Sequence, residues 1–269
     1  MRALAECAAG IAGGIYLVLL AAFMLWPVAI VTLVSFSPTP VFDVPTEGAS
    51  LQWYRKLADL DELWPAVRLS AEVGAIASVG ALMLGSLCAL GLRRGRLYCP
   101  ACILAFLMSP LMLPGIVLGV AMLITFRATG FLDAYTSLVL AHIVITVPYV
   151  VRVLYAALGL FDFTMIDAAR TLGYSHPVAL WKVLVPNLLP SFVTAGMFAF
   201  LMSVDNYALA LFLGDVRTVT LPIELLKLLD RAADPTVAAI ATLMVAFTAA
   251  LLVVGERLIG AARLVGRSA

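Results

Sequence analysis

Charge is scarce in this sequence. Asp, Glu, Lys and Arg make up 12% of 269 residues, hydrophobic residues make up 64%, and mean hydropathy is +1.09. That balance excludes a soluble domain with a solvated surface, at a formal net charge of +1. Catalytic signatures are missing as well. There is no GxxxxGK[ST] phosphate loop, no G-x-S-x-G nucleophile turn and no H-E-x-x-H pair, so the chain has no means of hydrolysing ATP itself. No internal repeat and no low-complexity tail interrupts it. Of its four cysteines only Cys99 and Cys102 stand at a spacing that suits zinc or thiol chemistry, and no second pair or histidine lies near them in sequence. No metal site is expected.

What the chain does have is long apolar runs. Crossing about 30 Å of hydrocarbon takes about 20 apolar residues in a helix, and six runs are long enough, at about 11–36, 67–92, 101–126, 135–160, 189–213 and 236–258. The composition therefore predicts an all-α integral membrane protein, one transmembrane domain over 1–269 with six helices. The first run is too long for the apolar region of a signal peptide and has no small-x-small site before Ser35, so it reads as a retained anchor.

Orientation follows from the basic residues near the span ends. An inner N-terminus puts ten of the seventeen Lys and Arg on the cytoplasmic side, beside only Glu6, Asp162, Asp167 and Glu256. The other seven basic residues then face eleven acids outside. Both termini and the 162–188 loop are expected in the cytoplasm, where reducing conditions make free thiols the expectation for Cys99 and Cys102.

That loop is the longest polar-bearing interruption between strongly apolar runs, DFTMIDAARTLGYSHPVALWKVLVPNLLP over 162–190. Its first half has an acid at the start, the helix formers Ala168 and Ala169, and Arg170 near the end, so a short helix is expected with Gly173 as its C-cap. Ser175 or His176 then caps a second short helix, with Pro177 in its first turn and Pro186 closing it. On pattern alone this fits either an amphipathic connector or a docking element.

The order Asp167-Ala168-Ala169, three residues, Gly173, nine residues, Val183-Leu184-Val185-Pro186 resembles the EAA loop of the permease subunits of binding-protein-dependent ABC importers. Asp167 stands for Glu, Val183 for Ile and Val185 for Leu; Ala168, Ala169, Gly173 and Pro186 match. The resemblance implies that 167–173 docks in a groove of the ATP-hydrolysing subunit. Other stretches agree. Ser50-Leu51-Gln52-Trp53-Tyr54 resembles the SLxWY segment after the first span of that family, although Trp53, Tyr54 and Trp64 suit an interfacial helix equally well. The third run carries Pro110, Pro114, Gly115 and Gly119, which fits a kinked packing helix, and similar runs line the central pathway of the spermidine/putrescine-type branch. The stretch beginning Thr220-Leu221-Pro222 matches a family segment before the last span; Leu221, Leu225, Leu228 and Leu229 are expected on one face of a helix, with Glu224, Lys227 and Asp230 opposite.

Two spans carry polar groups. The fourth holds His142, expected to make a helix–helix hydrogen bond, and Tyr149 after Pro148. The fifth holds Ser203, Asp205, Asn206 and Tyr207 within two turns. A carboxylate inside an apolar helix is expected to face a polar cavity or a partner. The segment resembles the SxDD segment of the polyamine-type permeases, with Asn206 in place of the second acid.

The resemblance implies a type I ABC importer permease fold and a translocation subunit, not an enzyme. The implied partners are two ATPase subunits that bind ATP and Mg, a second homologous permease subunit, a periplasmic binding protein and membrane lipid, with no nucleic acid and no cofactor in this chain. The implied location is the bacterial inner membrane, multi-pass. The implied ATPase-coupling residues are Asp167, Ala168, Ala169, Gly173 and Pro186; the implied substrate pathway comprises Ser203, Asp205, Asn206, Tyr207, Pro114, Gly115 and Tyr149. A small cationic, polyamine-like solute is the expected cargo. The alternatives are a metal ion, a phosphonate or a zwitterionic amine in the same importer type, or an ATPase-independent channel or enzyme built on Asp205, His142 and Tyr149.

Overall fold

A computed structural model describes all residues except 1, 46–47, 96, 131–132, 232–233 and 266–269. Of the charges counted above, Glu47, Arg96 and Arg267 lie outside the described residues, as do the side chains of Arg2, Glu6 and Arg263 and that of Cys7. Among the described residues all regular secondary structure is helical, and packing groups the chain into two compact units.

The first unit comprises 1–61 and 225–247. Helix α1 (Arg2–Val34) carries the apolar stretch Ala12–Val34, only 6% of whose most apolar window is buried within the chain. The segment after it folds back through α2 (Gln52–Ala58). Trp53 is buried, and its Nε1 donates to the Ser37 carbonyl at 2.7 Å, while Tyr54 Oη and Ser35 Oγ share a hydrogen bond of 2.7 Å. Trp53 is therefore a core residue of this unit and not an interfacial anchor, because the carbonyls freed where α1 ends need donors and the indole supplies one. Trp64, in the other unit, is 56% exposed as an interfacial residue would be. Lys56 Nζ reaches Asp234 at 2.5 Å, tying α2 to the residues just before the last helix.

The second unit comprises 62–224 and 248–269. Its core is formed by α3 (Leu63–Arg94), α6 (Ala134–Leu160) and α9 (Val185–Val204), packed on one another. The buried face of α3 is mostly small residues, Ser70, Gly74, Ala77, Ser78, Ala81, Gly85 and Ala89 among them, with Leu63, Val73 and Leu92. Lipid gives apolar side chains no reason to leave it, so helices associate where small residues let backbones come close. At Gly85 a Cβ would stand 2.7 Å from Val150 Cγ1, and at Gly74 one would stand 3.0 Å from Val204 Cγ2.

The third apolar run departs from the expected kinked helix. It divides into α4 (Pro100–Met108), a 3-10 turn Ser109–Met112 and α5 (Gly115–Ala128), with 104° between the two halves. Pro110 and Pro114 lack N–H groups and restrict the residues before them, and Leu113 and Pro114 are extended, so the helix cannot continue. The fifth run is also broken. Helix α9 ends at Val204, and α10 (Tyr207–Leu213) begins after Asn206. Among the described residues, five helical stretches are long and apolar enough to span a membrane, six if α4 and α5 count as one span. The remaining helices are α7 (Thr164–Thr171), α8 (His176–Ala179), α11 (Leu221–Arg231) and α12 (Thr236–Val265).

Three further expectations are corrected. Cys99 and Cys102 are joined as a disulfide, not free; their Cα atoms lie 5.3 Å apart at the start of α4. His142 is buried, but Nδ1 donates at 2.7 Å to the Leu138 carbonyl one turn back on its own helix and not to a neighbouring helix. On α11, Glu224 is buried beside Leu221 while Leu229 is 45% exposed, because residues three apart share a helix face.

Candidate functional site

Two places in the second unit gather the residues singled out by sequence. The first is the turn between α6 and α9. Asp162 opens it: its Oδ1 accepts from the Thr164 backbone N–H at 2.9 Å and from the Thr164 hydroxyl at 2.8 Å. These donors hold the Asp162 carboxyl below its ordinary value of 3.8. Helix α7 then runs for two turns and ends in a Schellman motif: Tyr174 N–H donates to the Ala169 carbonyl at 3.3 Å and Gly173 N–H to the Arg170 carbonyl at 3.0 Å. Gly173 takes φ +94°, the left-handed conformation expected of a glycine C-cap.

Helix α7 divides the Asp-Ala-Ala triplet between two faces. Ile166 and Ala169 are buried in a cluster with Leu154, Leu158, Leu184 and Leu188. Asp167, Ala168, Thr171 and Leu172 point outward; Leu172 is 80% exposed. Asp167 and Arg170, one turn apart at 3.8 Å, form a surface pair that contributes little. Ser175 stands at the N-cap of α8 without a side-chain bond, and Lys182 Nζ sits 4.9 Å from the centre of the Tyr174 ring, closing the turn.

Pro186 does not end the second helix, contrary to expectation. Leu180–Leu184 widens to a π-turn in which Val185 N–H bonds the Leu180 carbonyl, and α9 continues through Pro186 in its first turn. The wider turn makes room for the ring and for the N–H it lacks.

The second place is the break after α9. Asp205 is the exposed C-cap residue of α9, at the end of a helical stretch running from His176 to Val204. Asn206 caps α10, its Oδ1 accepting from Leu209 N–H at 3.0 Å. Tyr207 opens α10 and is 42% exposed; Ser203 is buried, and its hydroxyl has no hydrogen bond among the described residues. Against this break lies the other one. A Cβ at Gly115 would stand 3.1 Å from Ala208 Cβ, and one at Gly119 3.0 Å from the Ala208 carbonyl oxygen, so α5 packs backbone-close on α10 just after Pro114. The structure thus brings α5, which starts at Gly115 just after Pro114, against Ala208 of α10, the residue after Tyr207. Tyr149 is half-buried on α6, about 16 Å from that helix's C-terminal end at 1.5 Å per residue. Asp205 ends a helix about twice as far from the same turn.

Residues 81–263 match the model of the binding-protein-dependent transport system inner membrane component family, a span that includes both places. The chain belongs to that family. The permease is 30% identical over 235 residues to the spermidine/putrescine transport system permease protein PotC of Haemophilus influenzae, covering 87% of this chain and 91% of the relative. It is 31% identical over 205 residues to the molybdenum transport system permease protein ModB of Mycobacterium bovis, covering 71% and 77%. Its fold matches a bacterial ABC transporter involved in import of the acidic polysaccharide alginate, with TM-score 0.72, 15% identity, and 94% and 97% of the two chains covered. The permease is accordingly a multi-pass membrane protein with the type I ABC importer permease fold. It is a translocation subunit, and ATPase activity belongs to partner subunits. Sequence reasoning missed the capping role of Asn206, although an Asn after a helix and three residues before Leu209 is a cap signature.

Proposed function

We propose that the permease carries a small cationic amine of the polyamine class from the periplasm to the cytoplasm. The observation that carries this reading is Asp205. Its carboxylate stands exposed at the C-terminal end of α9, where the helix dipole already favours positive charge, and it makes no ion pair among the described residues. An ammonium group supplies the missing charge; an oxyanion such as molybdate meets repulsion. Ser203, Asn206 and Tyr207 offer hydroxyl and amide oxygens close to it in sequence, and α5 packs on α10, which follows it, at Gly115 and Ala208. The PotC resemblance supports the same cargo, and the ModB resemblance names the competitor.

In this reading the permease is one transmembrane domain, with both termini and the 162–188 loop in the cytoplasm, as the basic residues favour. Asp167, Ala168, Ala169, Gly173 and Pro186 form or shape the element that docks on the ATPase. Two ATPase subunits bind ATP with Mg, a second homologous permease completes the pathway, and a periplasmic binding protein delivers the cargo. The nearly uncovered α1 suits lipid or that second permease.

The test is uptake into proteoliposomes holding the complete importer, with labelled spermidine and labelled molybdate offered in turn with the cognate binding protein. Spermidine is expected to enter with ATP, and Asp205→Asn, which keeps size and hydrogen bonding, is expected to slow it several-fold while the ATPase stays bound. Uptake of molybdate alone, or equal spermidine rates in the two proteins, contradicts the reading.

A further inference from the structure

Two consecutive arginines end α3, and neither side chain extends freely into solvent. Arg93 lies along α6: its Nε donates to the Tyr155 carbonyl at 3.2 Å, and its Cζ is 4.2 Å from the centre of the Tyr155 ring. One turn further on, at Gly159, it covers bare backbone. A Cβ there would stand 3.0 Å from Arg93 Cζ and closer still to one terminal nitrogen. The glycine is therefore a seat for the guanidinium, near the C-terminal end of α6 where free carbonyls favour a cation.

Arg94 reaches a different element. Its Cζ is 4.9 Å from the centre of the Phe163 ring, and Phe163 is the N-cap residue of α7. That ring also meets Phe161 edge-on at 5.2 Å. Only three residues, 161–163, separate α6 from α7. The end of α3 thus grips the last turns of α6 with one arginine and the N-cap residue of α7 with the next.

We propose that Arg93 and Arg94, with Gly159 as the seat of Arg93, form a strut that sets the position of α7 against α3 and α6. The proposal rests on the reading of α7 as the ATPase-docking element. Arg93, Arg94 and Gly159 are positioning residues: a tilt of α3 moves α7 through them, and a tilt of α7 moves α3. Guanidinium groups suit this role because they bond a carbonyl and stack on a ring at the same time. Both contacts are exposed, and an exposed cation–π contact is worth about two- to five-fold in an equilibrium. The strut therefore biases the position of α7 without holding the fold together.

The experiment places the photo-crosslinking residue p-benzoylphenylalanine at exposed position 172 on the α7 turn and measures the yield of crosslink to the cognate ATPase in the assembled importer. Gly159→Ala, Arg93→Leu and Arg94→Leu are each expected to lower the yield roughly three-fold, while the ATPase still co-purifies and the melting temperature of the complex is unchanged. Gly159→Ala combined with Arg93→Leu is expected to be no worse than either alone, since both remove one contact. Unchanged yield overturns the strut. So do additive losses, or yield and melting temperature falling together, which mark an ordinary structural role. If position 172 of the otherwise unaltered chain does not crosslink to the ATPase at all, the docking reading has failed and the strut goes with it.

Discussion

Asn206 shows how one residue shapes a site. At this position the polyamine-type pattern has a second acid, and here an amide caps α10 through Leu209 N–H. Asn206→Ala is expected to destabilise α10 by about 1 kcal/mol, seen as faster hydrogen exchange at Leu209, whereas Asn206→Asp keeps the cap and is expected to leave that exchange slow. Asp162 behaves in the same way at the start of α7, with pH as an added handle. Its folded-state carboxyl is held below the ordinary 3.8 by the Thr164 donors, so its contribution is complete above that value and is lost as pH falls through the lowered one. Protection of the first α7 amides should thus be constant across neutral pH and fall only in strong acid. In Asp162→Ala it should already be low at neutral pH and show no further acid-dependent loss; an unchanged acid transition in that variant would contradict this role for Asp162.

At the scale of elements, the sequence made the spans and the α7 turn legible, and the two broken helices less so. Hydropathy sums over a window, so Pro100–Met112 with Gly115–Ala128, and α9 with α10, each read as one run although backbone hydrogen bonding stops between them. The Gly173 turn was readable because a left-handed cap leaves a residue-specific mark, which Ser203 and Tyr149 do not. Trp53 misled because an aromatic at a helix near a membrane surface has the same composition whether it anchors in headgroups or donates to Ser37. The small-residue face of α3 makes a further prediction. Gly85→Leu should destabilise the chain by about 1–3 kcal/mol through overpacking against Val150, whereas Gly91→Ala, with nothing within 4 Å of its Cβ, should not. Thermal melting of the detergent-solubilised permease separates the two, and equal effects would contradict the α3–α6 packing.

At the scale of the whole molecule, the Asp205 break and the α7 turn lie at opposite ends of α9, which is continuous from the π-turn to Val204. If α7 docks on the ATPase as proposed, a displacement there is carried toward the carboxylate along α9, which packs on α3 and α6. Gly173 is the point at which to cut that link without touching the spans. A Cβ there meets nothing within 4 Å, so a substitution acts through the backbone alone, where a left-handed residue with a side chain is disfavoured by about 1–2 kcal/mol and a β-branched one by more. Losses should therefore rank Asn, then Ala, then Val. The most direct measurement is ATP-dependent spermidine uptake by the reconstituted importer carrying Gly173→Val, beside the unaltered chain, with insertion checked by protease protection. The account predicts correct insertion and uptake no higher than in the absence of ATP; uptake at the unaltered rate would contradict it.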